Sequence, residues 1–172
     1  VSRPEVRFVA DDQELRRKLR TAAEEDGVAI VHVAAERGAP PFAQTVGVYR
    51  SCGMPEVVVI GLPPKVAHAV LGTYSERARA GENFVPGRCY ERFLKDLPVT
   101  FERVHRGFYA EYFGHAFLLN RKGNFPALQM IVAAPDGSWP WQPDAPGGFA
   151  QYQPVLTDSG RPESWVPGET GP

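Results

Sequence analysis

Gln44-Thr45-Val46-Gly47-Val48-Tyr49 and, after a short connection, Pro55-Glu56-Val57-Val58-Val59-Ile60-Gly61-Leu62-Pro63-Pro64 form the stretch whose reading decides the fold. β-Branched residues dominate both blocks, which predicts strands at Thr45 to Tyr49 and Glu56 to Ile60. The loop from Arg50 to Pro55 is long enough for a loose hairpin, so the pair is expected to be antiparallel. Gly47 inside the first block marks a bulge or a close approach by another group, the bulge being the simpler reading. Pro63 and Pro64 have the fixed φ that suits a first helical turn. Val66, Ala67, Val70, Leu71 and Tyr74 then recur at helical spacing as far as Gly81.

Working outward toward the N-terminus, Asp11-Asp12-Gln13-Glu14 opens a helix with apolar Leu15 and Leu19, and Gly27 stops it. Its basic cluster is followed by Glu24-Glu25-Asp26 and reads as a solvated face. Val28 to Val33 reads as a strand covered on both sides, with His32 on the side of Val28 and Ile30 as a hydrogen-bonded core histidine. His68 falls on the outer side of its helix. Toward the C-terminus, strands are expected at Cys89 to Phe93 and Val99 to Val104. A long amphipathic helix is expected from Phe108 to Asn120, with Tyr109, Tyr112, Phe113, Ala116 and Phe117 on one face. Phe125 to Ala133 reads as a buried strand whose one strongly polar side chain, Gln129, needs hydrogen-bond partners. Trp139-Pro140-Trp141-Gln142-Pro143 is expected to fold back over the sheet. The reading is a single α+β domain over residues 1–156, with a largely antiparallel sheet of about five to seven strands and about three helices, and a flexible Pro/Gly-rich tail over 157–172.

The 172 residues suffice for one hydrophobic core, and 43% hydrophobic with 23% charged residues is ordinary for a globular protein. A net charge of -1, from 19 basic and 20 acidic residues, provides no field to attract nucleic acid or an anionic membrane. No apolar run is long enough to span a bilayer, and the start resembles no secretory signal, so the chain is read as cytoplasmic. Cys52 and Cys89 lack Cys-x-x-Cys spacing and read as reduced thiols. Phosphate-binding, dinucleotide-binding and common hydrolase motifs are missing. His32, His105, His115, Cys52 and Cys89 offer no pair at a diagnostic metal-ligand spacing, so no metal site is predicted.

The Thr-Val-Gly block, the Pro-Glu-Val-Val-Val-Ile-Gly-Leu-Pro block, the Phe-Pro-Ala-Leu-Gln block from Phe125 and the Trp-Pro-Trp-Gln-Pro block from Trp139 together resemble domain of unknown function family 4262, over about residues 27–156. The resemblance implies a small bacterial, cytoplasmic α+β domain and brings no reaction with it. Members of that family often read Gly-His-Pro-Glu where this chain reads Gly53-Met54-Pro55-Glu56. Methionine fills apolar gaps but transfers no proton, so chemistry that depended on that imidazole is lost here. Glu56, Gln129 and Trp141 keep the pattern.

Three functional readings follow. The first is an aromatic-lined small-molecule pocket between the Tyr109 helix and the sheet, in an enzyme or accessory protein of specialised metabolism. Glu56 would be its general base if burial raised the pKa, with Tyr112 as donor, and Thr45, Tyr49, Tyr109, Gln129 and Trp141 would bind ligand. An ordinary strand-start carboxylate is the plainer reading of Glu56. The second is a protein-interaction module without catalysis, using the tryptophan segment and Trp165. The third is a flavin-binding split barrel, suggested by architecture alone. Cofactor and oligomeric state are open at this level.

Overall fold

The computed structural model describes residues 11–120 and 122–165; residues 1–10, 121 and 166–172 lie outside it. One six-stranded sheet runs in the order β1-β2-β3-β6-β5-β4. Its strands are β1 (Ala29–Val33), β2 (Phe42–Val46), β3 (Glu56–Ile60), β4 (Cys89–Leu94), β5 (Leu97–Arg103) and β6 (Ala127–Val132). The helices are α1 (Asp11–Asp26), α2 (Val48–Cys52), α3 (Pro64–Arg79), α4 (Tyr109–Tyr112) and α5 (Phe149–Tyr152). β3 and β6 pair in parallel and every other neighbouring pair is antiparallel. A parallel pair needs a long crossover, and here it carries α3, the β4–β5 hairpin and α4. The α+β class and largely antiparallel sheet match the sequence reading. The sheet is open and not closed into a barrel, which corrects the split-barrel alternative by removing its architectural premise.

β3 and β6 lie at the centre and are buried from end to end, which is why both read as nearly continuous apolar runs. One sheet face presents Val57, Val59, Leu128, Met130, Val99 and Phe101 to Val70, Leu71 and Tyr74 of α3. The opposite face presents Val58, Ile60 and Ala127 to Leu19 of α1 and to Tyr109, Tyr112 and Phe113. That second face continues past Ile131 to Trp139 and Val155. Each fully buried valine or isoleucine contributes about 1.5–3 kcal/mol, so these two strands are a substantial part of the apolar stabilisation.

Local structure departs from the sequence reading in four places. Val48 and Tyr49 open α2 instead of continuing a strand, because Gly47 takes a φ of 106° that turns the chain at once. Gly47 is therefore a junction and not a bulge, and a Cβ there would lie 2.6 Å from the Cβ of Ala23. The expected helix from Phe108 to Asn120 is broken into α4 and two single 3₁₀ turns, Arg106–Phe108 and Ala116–Leu118. This broken path lets Tyr109, Phe113 and Phe117 all contact the ring of Phe125, with centroids 5.2, 6.0 and 5.5 Å away. His32 is exposed instead of buried, since β1 is an edge strand. Finally, within residues 157–165, expected as part of the tail, Thr157 is 3% exposed, Ser164 bonds Glu102 and Trp165 joins Trp139 and Trp141, while Asp158 to Arg161 and Glu163 are exposed.

The junction at Gly47 generates a direct prediction. Gly47→Ala combines a strained positive φ with a steric clash, and is expected to lower the unfolding free energy by about 2–4 kcal/mol. Gly53→Ala, at a φ of 73° with open space around its Cβ, carries strain alone and should cost roughly 1 kcal/mol. Urea denaturation of the two variants beside wild type measures both.

Candidate functional site

The sequence blocks from Gln44 and Pro55 meet around the side chain of Glu56, which is fully buried. Thr45 donates its hydroxyl to Glu56 Oε1 at 2.8 Å, and the same hydroxyl accepts the Val57 backbone N–H at 2.9 Å. Backbone pairing between β2 and β3 extends through Gln44 and Val58, so the Thr45 side chain takes over where the strands part. Three successive backbone amides then point at the carboxylate. Gly47 and Val48 donate at 3.1 Å and Tyr49 at 3.3 Å. These are first-turn amides of α2, which have no partner within the helix and favour a negative charge. Glu56 thus terminates α2 from inside the protein.

Burial pushes the Glu56 carboxyl up to about 7, while the Thr45 hydroxyl and the amides of Gly47, Tyr49 and Val48 pull it back. Removing a carboxylate from water costs several kcal/mol and these donors offset only part of that. Tyr74 lies close by, donating its hydroxyl to the Pro55 carbonyl at 2.7 Å. Burial first, then the nearby charges of Glu56 and Cys52, raises the Tyr74 phenol. Met54 packs against the core cluster of α3 and fills apolar space.

Of the remaining residues chosen from sequence, Tyr109 and Gln129 have their polar groups bonded within the protein, and Tyr112 and Trp141 make ring contacts. Tyr109 donates its hydroxyl to the Phe125 carbonyl at 3.1 Å. Tyr112 is buried, with its ring edge-on to Phe42 at 4.8 Å. Thr45, Tyr49 and Glu56 form one hydrogen-bonded unit, and Tyr49 packs with Tyr109 and Tyr112 in the same apolar cluster. Trp141 belongs to a separate group, stacked parallel on Trp139 at 5.5 Å and met edge-on by Trp165. Gln129 is fully buried; its amide donates to the Pro154 carbonyl at 2.7 Å and accepts from the Leu156 N–H at 2.8 Å.

Gln129 and Glu102 are buried polar side chains of the sheet that bind the C-terminal segment, and Gln153 of that segment binds back to the sheet. Gln153 takes both backbone groups of Val132, accepting from its N–H at 2.9 Å and donating to its carbonyl at 2.8 Å. Glu102 accepts the N–H groups of Glu163 and Ser164 at 3.2 and 3.1 Å and the Ser164 hydroxyl at 2.9 Å. Burial raises the Glu102 carboxyl, and the donors from Ser164 and Glu163 oppose the shift. Gly87 makes room for this segment: a Cβ there would sit 2.2 Å from the Ser164 carbonyl. Sequence reasoning missed Glu102 and Gln153. In Val99-Thr100-Phe101-Glu102 the alternation places Glu102 on what reads as a solvent face, and only the distant segment that covers it makes it a binding group.

An open surface depression of about 360 Å³ is lined by the loop 35–40 together with Gly148, Gln151 and Tyr152, and includes none of the residues chosen from sequence. Among the described residues no group of three or more His, Cys, Asp or Glu side chains is placed to hold a metal ion. No helix there is long and apolar enough to cross a membrane.

The raised Glu56 pKa predicts the sign of a pH effect. The folded protein binds this proton more tightly than the unfolded chain, whose carboxyl titrates near 4.5. The corresponding stability is therefore complete below that value and is lost as pH rises through about 7. Glu56→Gln abolishes the titration while carboxylates shifted the other way, such as Glu82, stay common to both proteins. The stability advantage of wild type over Glu56→Gln is expected to shrink by about 2–3 kcal/mol between about pH 5 and about pH 8, as read from urea unfolding at each pH.

No curated protein and no solved structure matches the chain. One family model does, over residues 22–146, and this span includes the Thr45–Glu56 unit, Glu102, Gln129 and Trp141. The chain belongs to the family described as Domain of unknown function (DUF4262).

Proposed function

We propose that this protein is a non-catalytic binding module for a polypeptide segment, held across the sheet face opposite α3 through backbone contacts, and that its own residues 153–165 fill that site in cis. The observation that carries this reading is the recognition of backbone by side chains. Gln129 bonds the carbonyl of one residue and the N–H of the next but one, as a neighbouring strand would, and Glu102 gathers two consecutive N–H groups. Such contacts accept any extended chain, as in strand-addition recognition, while apolar side chains supply selectivity. Val155 and Trp165 are those side chains here, seated against Ile131, Trp139 and Trp141.

The family match ends at residue 146, so the occupant lies beyond the matched region while Glu102 and Gln129 lie within it. Receptor and occupant are separable in that sense. Glu56, encircled by four donors, acts on this reading as a structural anchor and not as a general base.

The test releases the end of the segment without truncating the chain. Ser164→Pro combined with Trp165→Ala removes an N–H, a hydroxyl and an indole from the site. A labelled peptide of residues 157–165 is expected to bind this variant in trans at least about tenfold more tightly than it binds wild type, by fluorescence anisotropy. Adding Glu102→Gln to the same variant should abolish the gain. Absence of peptide binding by the released variant, with its circular dichroism unchanged, overturns the proposal.

A further inference from the structure

We propose that His32 and His68 form a two-imidazole binding site for a zinc ion on the surface where β1 meets α3. His32 Nε2 and His68 Nδ1 lie 3.3 Å apart. The rings are inclined by only 14°, with centroids 5.5 Å apart, so these two nitrogens face each other across the gap. Two nitrogen ligands at ~2.0–2.1 Å from a tetrahedral zinc are separated by roughly 3.3–3.4 Å, whereas neighbouring ligands at right angles around a square or octahedral ion approach to about 2.9 Å. The observed spacing fits the tetrahedral ion.

The fold sets this spacing. Val28 and Ile30 pack on the α3 side of the sheet, and His32 continues that same face at the rim of the edge strand. His68 lies on α3, which shares contacts with β1. Both imidazoles are exposed, so a hydrated ion reaches them, and water completes the coordination. Without metal, one ring donates a hydrogen bond to the other across the same gap; with zinc bound, the donor ring carries its proton on its other nitrogen, so that both facing nitrogens present lone pairs. A zinc ion here joins residues 36 apart in sequence, so it binds the folded state and stabilises it.

Isothermal titration of the full chain with zinc chloride, in a non-coordinating buffer at about pH 7.5 where imidazole is neutral, reads the site directly. One zinc per chain is expected for wild type, together with a zinc-dependent rise in melting temperature. His32→Ala and His68→Ala should each weaken binding by about tenfold or more and abolish the thermal shift. Zinc binding that persists unchanged in either variant overturns the proposal, since the exposed thiols of Cys52 and Cys89 would then be the ligands. So does the absence of any heat up to about millimolar zinc.

Discussion

One fully buried carboxylate organises the centre of this protein. Glu56 sits at the head of the central strand β3 and receives the Thr45 hydroxyl together with three backbone amides from the start of α2. Without that acceptor, three N–H groups would be buried unpaired, each at about 1–3 kcal/mol. The sharp turn at Gly47, the departure of α2 from the sheet and the close packing of Gly47 on Ala23 all depend on the anchor. β2, α2 and β3 are therefore one cooperative unit on which α1 and α3 pack.

This interaction gives a physical meaning to two of the four sequence blocks that carry the family resemblance. Threonine supplies a hydroxyl that donates to Glu56 and accepts from Val57 at once. Glycine supplies the left-handed turn, and the following amides complete the acceptor's shell. The Pro-Glu pair delivers the carboxylate, with Tyr74 holding the Pro55 carbonyl from the other side. Each block makes structural sense only with the other, and Met54 between them adds apolar packing.

Much of the fold was legible in the sequence because its signals are local. The apolar runs at Val57 and Leu128 identified central strands, Pro63-Pro64 marked the start of α3, and Asp96 lies in the turn between β4 and β5. The errors arose where distant parts of the chain decide the outcome. Val48 and Tyr49 have strand-like side chains, yet an acceptor eight residues away turns them into a helix. Tyr109 to Phe117 has helical spacing, but packing around Phe125 breaks the helix. For the site, sequence reading correctly required partners for buried Gln129 but could not find them, because they are backbone groups of residues 154 and 156. Glu102 and the His32–His68 pair were invisible for the same reason, since their partners come from elements far away in sequence.

The most direct measurement is a nuclear magnetic resonance pH titration that follows the Glu56 side-chain carboxyl carbon together with the backbone amides of Gly47, Val48 and Tyr49. A buried anchor predicts that all four report one common midpoint near 7, shifted from the ordinary carboxyl value near 4.5 by burial. Amides of Gly47, Val48 and Tyr49 that do not follow the titration of the Glu56 carboxyl would contradict the central role of this interaction.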